Sequence, residues 1–247
     1  MKFEQLSSGS DGNLYLVTNG DGKRILIECG MSWKKIVELL DYDLKNIVGC
    51  FVSHEHKDHS AGIYEVIEAG IEVFASRGTF EACGITEDTP FWRRANIIRD
   101  ESVEQFKWDF RVTAFNTFHD AVEPLGFIIK SIKEDKAILF ATDTSHIREE
   151  FTEPFYIVAL ECNCDVEVLN DRVNKKEINE ELAKRICNTH FEKNNVKDYL
   201  REFCLLRNCE EIHLLHLSNI NIDGEKTKEE FEKEFFISVK IFEKEVG

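Results

Sequence analysis

Short apolar runs separated by turn residues dominate the start of the chain. Their composition predicts strands at residues 2–6, 14–17 and 24–27, with Gly9, Asp11, Gly12 and Asn13 in the first gap and Asn19, Gly20, Asp21 and Gly22 in the second. Ser32 stands where it can cap a helix over residues 33–40, with Ile36, Leu39 and Leu40 on one face. Residues 48–52 form an apolar run suited to a buried strand. A helix is expected over 61–69 and a strand over 72–75, then an irregular stretch over 76–99. Further strands are expected at 103–106, 110–115, 126–132, 137–141, 156–160 and 211–215. Helices are expected at 176–187 and 196–207, and the Lys- and Glu-rich end from 225 to 247 reads as a solvated helix and a last strand. Two β-rich blocks with interspersed helices imply a layered α/β protein.

Composition narrows this picture. A chain of 247 residues suits one large domain spanning 1–247. No apolar run approaches the ~18 residues of a membrane span. The N-terminal residues carry no apolar signal region, so a cytoplasmic protein is expected. The eight cysteines then read as reduced, partly buried thiols. Thirty-one basic against 47 acidic side chains give a net charge of −16. That excludes a protein coated with a basic nucleic-acid track, so any phosphate must be met locally.

The apolar run 48–52 ends directly in Ser53-His54-Glu55-His56-Lys57-Asp58-His59. Three of the eight histidines fall within six positions there. Imidazole and carboxylate suit zinc or manganese, and the spacing lets two pairs of ligands serve two adjacent ions. His119, Asp143 and His216 each follow another predicted strand, where open α/β sheets place their sites. Glu161 ends the apolar strand before it, so an unpaired carboxylate there would be costly and a partner is expected. Gly9, Ser10 and Asn13 form a polar loop able to cradle phosphate, or an ordinary hairpin turn. Trp92, Arg93 and Arg94 offer a stacking surface beside two cations, or an exposed insertion without a role. His146, His213 and Lys57 read as structural or solvated.

These motifs together resemble the metallo-β-lactamase-fold hydrolases. Among them the chain is most similar to the YycJ/WalJ exonuclease group and more distantly to ribonuclease Z. The resemblance runs from Leu6–Asn13 through Leu26–Gly30, the His54 motif, Phe118-His119-Asp120, Ala141–Thr144 and Glu161–Asp165 to His213–Ser218. It implies a four-layer αββα sandwich with a dinuclear site at one edge. His54, His56 and His119 would hold one divalent ion, Asp58, His59 and His216 the other, and Asp143 would bridge them. A bridging hydroxide would be the nucleophile, with Asp58 orienting it or taking its proton. Glu161 and His190 occupy the positions of a pair that in ribonuclease Z helps protonate the leaving alkoxide. Ser10, Asn13, Asn163 and Ser218 would line the substrate.

The implied activity is phosphodiester hydrolysis with two Zn²⁺ or Mn²⁺ ions, as a DNA exonuclease or on a cyclic nucleotide. Glu161 and His190 argue against thioester or lactam hydrolysis, and the complete ligand set argues against a metal-stabilised binding module. Family members are often homodimers. Three positions depart from the family pattern: Glu28 replaces an aspartate, Cys164 a histidine and Phe191 a serine.

Overall fold

The computed structural model describes residues 1–99, 103–105, 109–204 and 206–243. Over the described residues, every expected strand falls on an observed one. Phe106, Leu205 and residues 244–247 lie outside the described residues. The chain divides into two compact units: Met1–Asn116 with Ala121–Lys136, and Thr117–Asp120 with Ala137–Gly247.

The first unit holds a six-stranded sheet in sequence order: β1 (Lys2–Ser7), β2 (Leu14–Thr18), β3 (Arg24–Ile27), β4 (Ile47–Phe51), β5 (Val73–Ala75) and β6 (Ala95–Ile97). β1 to β3 are antiparallel, and β3 to β6 run parallel. Parallel strands need crossovers, and these carry α1 (Trp33–Leu39), α2 (Lys57–Ser60), α3 (Ile63–Glu68) and α4 (Arg77–Ala82). Leu14, Leu16, Leu26, Cys50 and Val52 pack one sheet face against Ile36, Ile63, Val66 and Ile67 of these helices. The alternate residues Tyr15, Val17, Ile25, Ile27 and Phe51 are also buried, so both faces are covered. Phe51 meets Phe127 edge to face at 5.5 Å. Phe127 belongs to the antiparallel meander β7 (Val103–Gln105), β8 (Phe110–Asn116) and β9 (Leu125–Ser131) of the same unit. The layered reading is thereby explained by residues of alternating direction.

The second unit is a parallel array of β10 (Lys136–Ala141), β11 (Ile157–Glu161), β12 (Glu211–Leu215) and β13 (Ser238–Ile241). Its helices are α5 (Val166–Asn174), α6 (Glu180–Thr189), α7 (Lys193–Glu202) and α8 (Gly224–Phe235). The register sets Ala141 beside Leu160 and Glu161 beside Leu215, which aligns the carboxyl ends of three strands.

Several expectations need correction. Ser32 stands at the start of α1 but makes no side-chain cap; the Glu65 carboxylate accepts the Trp33 amide instead. The stretch 76–99 is structured, with Ser76 capping α4 through the Thr79 amide and a short 3₁₀ turn at Trp92–Arg94. The helix expected from 176 starts later, because Lys176 is left-handed and the Asn179 side chain caps Leu182. Likewise Glu192 caps α7 at Asn194 and Asn195. α5 went unpredicted because it buries Leu169 as its one deeply covered residue, too little to make an apolar stripe. No described helix is long and apolar enough to cross a membrane, and all eight cysteines are free thiols.

His213 on β12 is buried, with Nε2 3.1 Å from Glu211 Oε2. Burial pushes its pKa down; Glu211 opposes this and Lys240 on β13 adds to it. The unfolded chain therefore takes up a proton that the folded ring refuses. The contribution to stability is complete above about pH 6.5 and falls away as pH drops towards the lowered folded value. Urea midpoints at neutral and mildly acid pH should fall less for His213→Gln than for the parent; an equal fall in both would remove His213 as the cause.

Candidate metal centre

In the first unit the His54 motif follows the carboxyl end of β4. Ser53 Oγ lies 2.9 Å from His54 Nδ1, and the rings of His54 and His59 are 4.2 Å apart, those of His54 and His56 4.7 Å. Asp58 and His59 sit in α2, with His59 Nε2 3.3 Å from Asp58 Oδ2. His54 and His59 are buried, which orders the rings but keeps their chemistry away from bulk water.

Backbone bonds clasp this loop. The Asn13 amide donates to the Asp58 carbonyl at 2.7 Å, and Cys29 N donates to the His59 carbonyl at 2.8 Å. Asn13 Oδ1 accepts from Gly9 N and the Tyr15 hydroxyl, which orients Nδ2 towards the Asp58 carbonyl at 3.1 Å and His59 Nε2 at 3.1 Å. Glu28, left-handed at φ 64° and fully buried, accepts the Ser53 amide at 3.3 Å and lies 3.7 Å from His59 Nδ1. The longer side chain in place of the family's aspartate thus still reaches the loop.

Gly30 passes so close that a Cβ there would stand 1.7 Å from the Asp58 carbonyl oxygen. Gly30→Ala is expected to cost about 3 kcal/mol, the upper range for overpacking, because backbone rather than a flexible side chain must move. A denaturant midpoint equal to the parent's would show that the loop yields freely.

The second unit supplies a second set at aligned strand ends. Asp143 follows β10, Glu161 ends β11, and His216 follows β12. Asp143 and His216 are left-handed, at φ 46° and 50°, conformations that cost energy in non-glycine residues and that surrounding structure must hold. Asp143 Oδ2 is 3.6 Å from His119 Nε2, while Oδ1 is 3.5 Å from His216 Nδ1. One carboxylate therefore faces two different imidazoles with its two oxygens. His119 Nδ1 is 2.9 Å from the Thr189 carbonyl. A carbonyl only accepts, so the neutral ring carries its proton on Nδ1 and presents Nε2 as the ligand nitrogen.

Glu161 is fully buried and fully engaged. His190 Nδ1 meets Oε1 at 2.6 Å, and Oε2 accepts the amides of Thr144 at 2.7 Å and Phe191 at 3.1 Å. Phe191 thus keeps a backbone contact where its family has serine. Burial alone would raise the Glu161 pKa, but the His190 charge and hydrogen bonds hold it below the usual carboxylate range. Conversely, burial opposes protonation of His190, and Glu161 outweighs it and raises the imidazole pKa. Ligand atoms of Asp143 and His216 lie within 4.8 Å of those of Glu161 and His190; with that pair taken up by each other, Asp143 and His216 remain as carboxylate and imidazole donors of the kind that suits a divalent cation.

The residues expected to line substrate divide. Asn13 and Asn163 are buried and bonded within the chain; Asn163 Nδ2 donates to the His216 carbonyl at 2.9 Å and lies 3.2 Å from its Nδ1. Ser218 Oγ accepts from Asn221 N at 3.3 Å, closing a turn, while Ser10 is exposed. Sequence reasoning missed the supports Ser53, Thr144 and Thr189; two act through backbone atoms, which side-chain identity does not signal.

The chain belongs to the β-lactamase superfamily: the Beta-lactamase superfamily domain matches residues 23–170. It is 29% identical over 180 residues to exodeoxyribonuclease WalJ of Streptococcus pneumoniae, covering 68% of this chain and 64% of that protein. The chain therefore spans under two thirds of that relative's length. It is 28% identical over 122 residues to ribonuclease Z of Archaeoglobus fulgidus, covering 44% of this chain and 39% of that one. The metallo-β-lactamase fold protein YhfI of Bacillus subtilis superposes with a TM-score of 0.70 at 17% identity, over 98% of this chain and 95% of its own. That likeness establishes the αββα metallo-β-lactamase fold.

Proposed function

We propose that the two units form one catalytic domain over residues 1–247 and that it hydrolyses phosphodiesters in DNA from an end. The observation that carries this reading is the 2.6 Å contact of Glu161 with His190, beside Asp143 and His216. Phosphodiester cleavage expels a poor leaving alkoxide, which needs a positioned acid; lactam and thioester cleavage need it less. The similarity to WalJ supports DNA as the substrate.

In this reading His54, His56 and His119 hold one divalent cation, Asp58, His59 and His216 hold a second, and Asp143 is shared. Zinc or manganese there supplies Lewis acidity and a more acidic attacking water. Asp58 orients that water and takes its proton. His190, kept protonated by Glu161, gives a proton to the departing oxygen. Asn13 and Glu28 hold the His54 loop, and Asn163 holds His216. Ser10 and Ser218 lie towards substrate. The free thiols agree with a cytoplasmic setting, and a homodimer is the assembly the family resemblance favours.

The net charge of −16 favours a second substrate, a cyclic nucleotide, because it needs no long basic track. One competition decides. Protein loaded with manganese or zinc meets end-labelled linear DNA and cyclic nucleotides together, with Asp58→Ala alongside. Shortened DNA with intact cyclic compounds is expected. Opened cyclic nucleotides with intact DNA would replace the substrate, and equal turnover by Asp58→Ala would remove the proposed site.

A further inference from the structure

Phe91 is a bulky residue in the left-handed region, at φ 66°, and it is 47% exposed. It thus takes a strained backbone without burying its ring in return. The guanidinium of Arg94 lies 5.2 Å from the ring centre and also donates to the Ile67 carbonyl at 3.2 Å. Trp92 is half-buried and anchored edge to face on Phe80 at 6.1 Å. Arg93 is exposed. Together with Glu87 and Thr89, these residues line a cavity of about 560 Å³, within the range of small-ligand sites.

The cavity stands apart from the His54 loop in the same unit. Ala95, directly after the Trp92–Arg94 turn, pairs with Val73 at the start of β5. His54 follows the opposite, carboxyl end of the parallel strand β4. Chemistry and cavity therefore occupy opposite ends of the parallel strands.

From this we propose that the cavity grips single-stranded nucleic acid at a distance from the reaction. A base stacks on the face offered by Phe91 and Trp92, and a backbone phosphate pairs with Arg93. Aromatic faces accept any base, and a guanidinium matches phosphate with two hydrogen bonds. Arg94 lies over one face of the Phe91 ring and steadies it, so the base stacks on the other face. An acidic chain would thereby gain the local positive contact that its overall charge denies, and a strand held at two places gains effective concentration at the second. This inference rests on the nuclease reading for its purpose, though not for its chemistry.

The test is fluorescence anisotropy with long labelled oligothymidylate in the presence of a chelator, which prevents cleavage. Phe91→Ala and Arg93→Ala are each expected to weaken binding roughly tenfold. Arg93→Ala should also reduce the slope of log affinity against log salt by about 0.7, and Phe91→Ala should leave it unchanged. Turnover of bis(p-nitrophenyl) phosphate, too small to reach both places, should stay at the parent level in both variants. Unchanged oligonucleotide affinity in both would overturn the proposal, as would a parallel loss on the small diester. Equal weakening for free thymidine monophosphate and for the oligonucleotide would make the ligand a mononucleotide and overturn the strand assignment. If no phosphodiester is hydrolysed while both variants still lose binding and shift the salt slope as stated, the grip stands and the hydrolase reading falls.

Discussion

Asp143→Asn is expected to strip bound zinc or manganese from the protein and to slow phosphodiester hydrolysis at least about a thousandfold, roughly 4 kcal/mol of barrier. The reason is that, in the proposed ligand set, this one side chain would serve both cations. Oδ1 and Oδ2 face His216 and His119 respectively, at 3.5 and 3.6 Å. An amide keeps the size but loses the charge and offers one oxygen in place of two. Neither face can then be served as before. Metal content by elemental analysis gives a readout independent of turnover. Full metal occupancy with undiminished rate would show that Asp143 is not shared. The left-handed backbone at this position would then need another cause.

A second large effect concerns the leaving group. Glu161→Gln and His190→Ala are each expected to slow hydrolysis of nucleotide diesters by roughly a hundredfold or more, in line with loss of a general acid. The loss should be much smaller for bis(p-nitrophenyl) phosphate, whose phenolate departs without help. Glu161 also accepts the Thr144 and Phe191 amides, so its replacement tests structure and chemistry together. His190 touches fewer groups and is the cleaner probe. Equal losses on both substrates in His190→Ala would reassign the histidine to structure or metal binding.

The two sets of candidate site residues differ in how they could be read. His54, His56, Asp58 and His59 lie within six positions after an apolar run, so local spacing announces them. His119, Asp143 and His216 could be picked out as candidates because each follows a strand; parallel pairing brings the carboxyl ends of β10 and β12 to the same end of the array, while His119 follows the antiparallel strand β8. Glu161 and His190 are separated by 29 positions, and no periodicity links them. Their pairing was reachable through family resemblance, while the 2.6 Å contact needed the structure. Asn13 is a different case: its loop reads as a phosphate cradle or a hairpin turn, and two donors on Oδ1 turn its side-chain amide inward to Asp58 and His59.

By itself the sequence determined most of the strands, the family and the candidate ligand types, though not α4, β6 or α5. These follow from short-range patterning and from side-chain identity. Tertiary structure decided which groups face one another. It aligned the ends of β10, β11 and β12 by register, and it tied the His54 loop to the backbone amides of Asn13 and Cys29 and to the Glu28 carboxylate. It also turned Phe91 outward beside Arg94. Those outcomes depend on packing among residues distant in the chain, where free energy is set by contacts that no local pattern encodes.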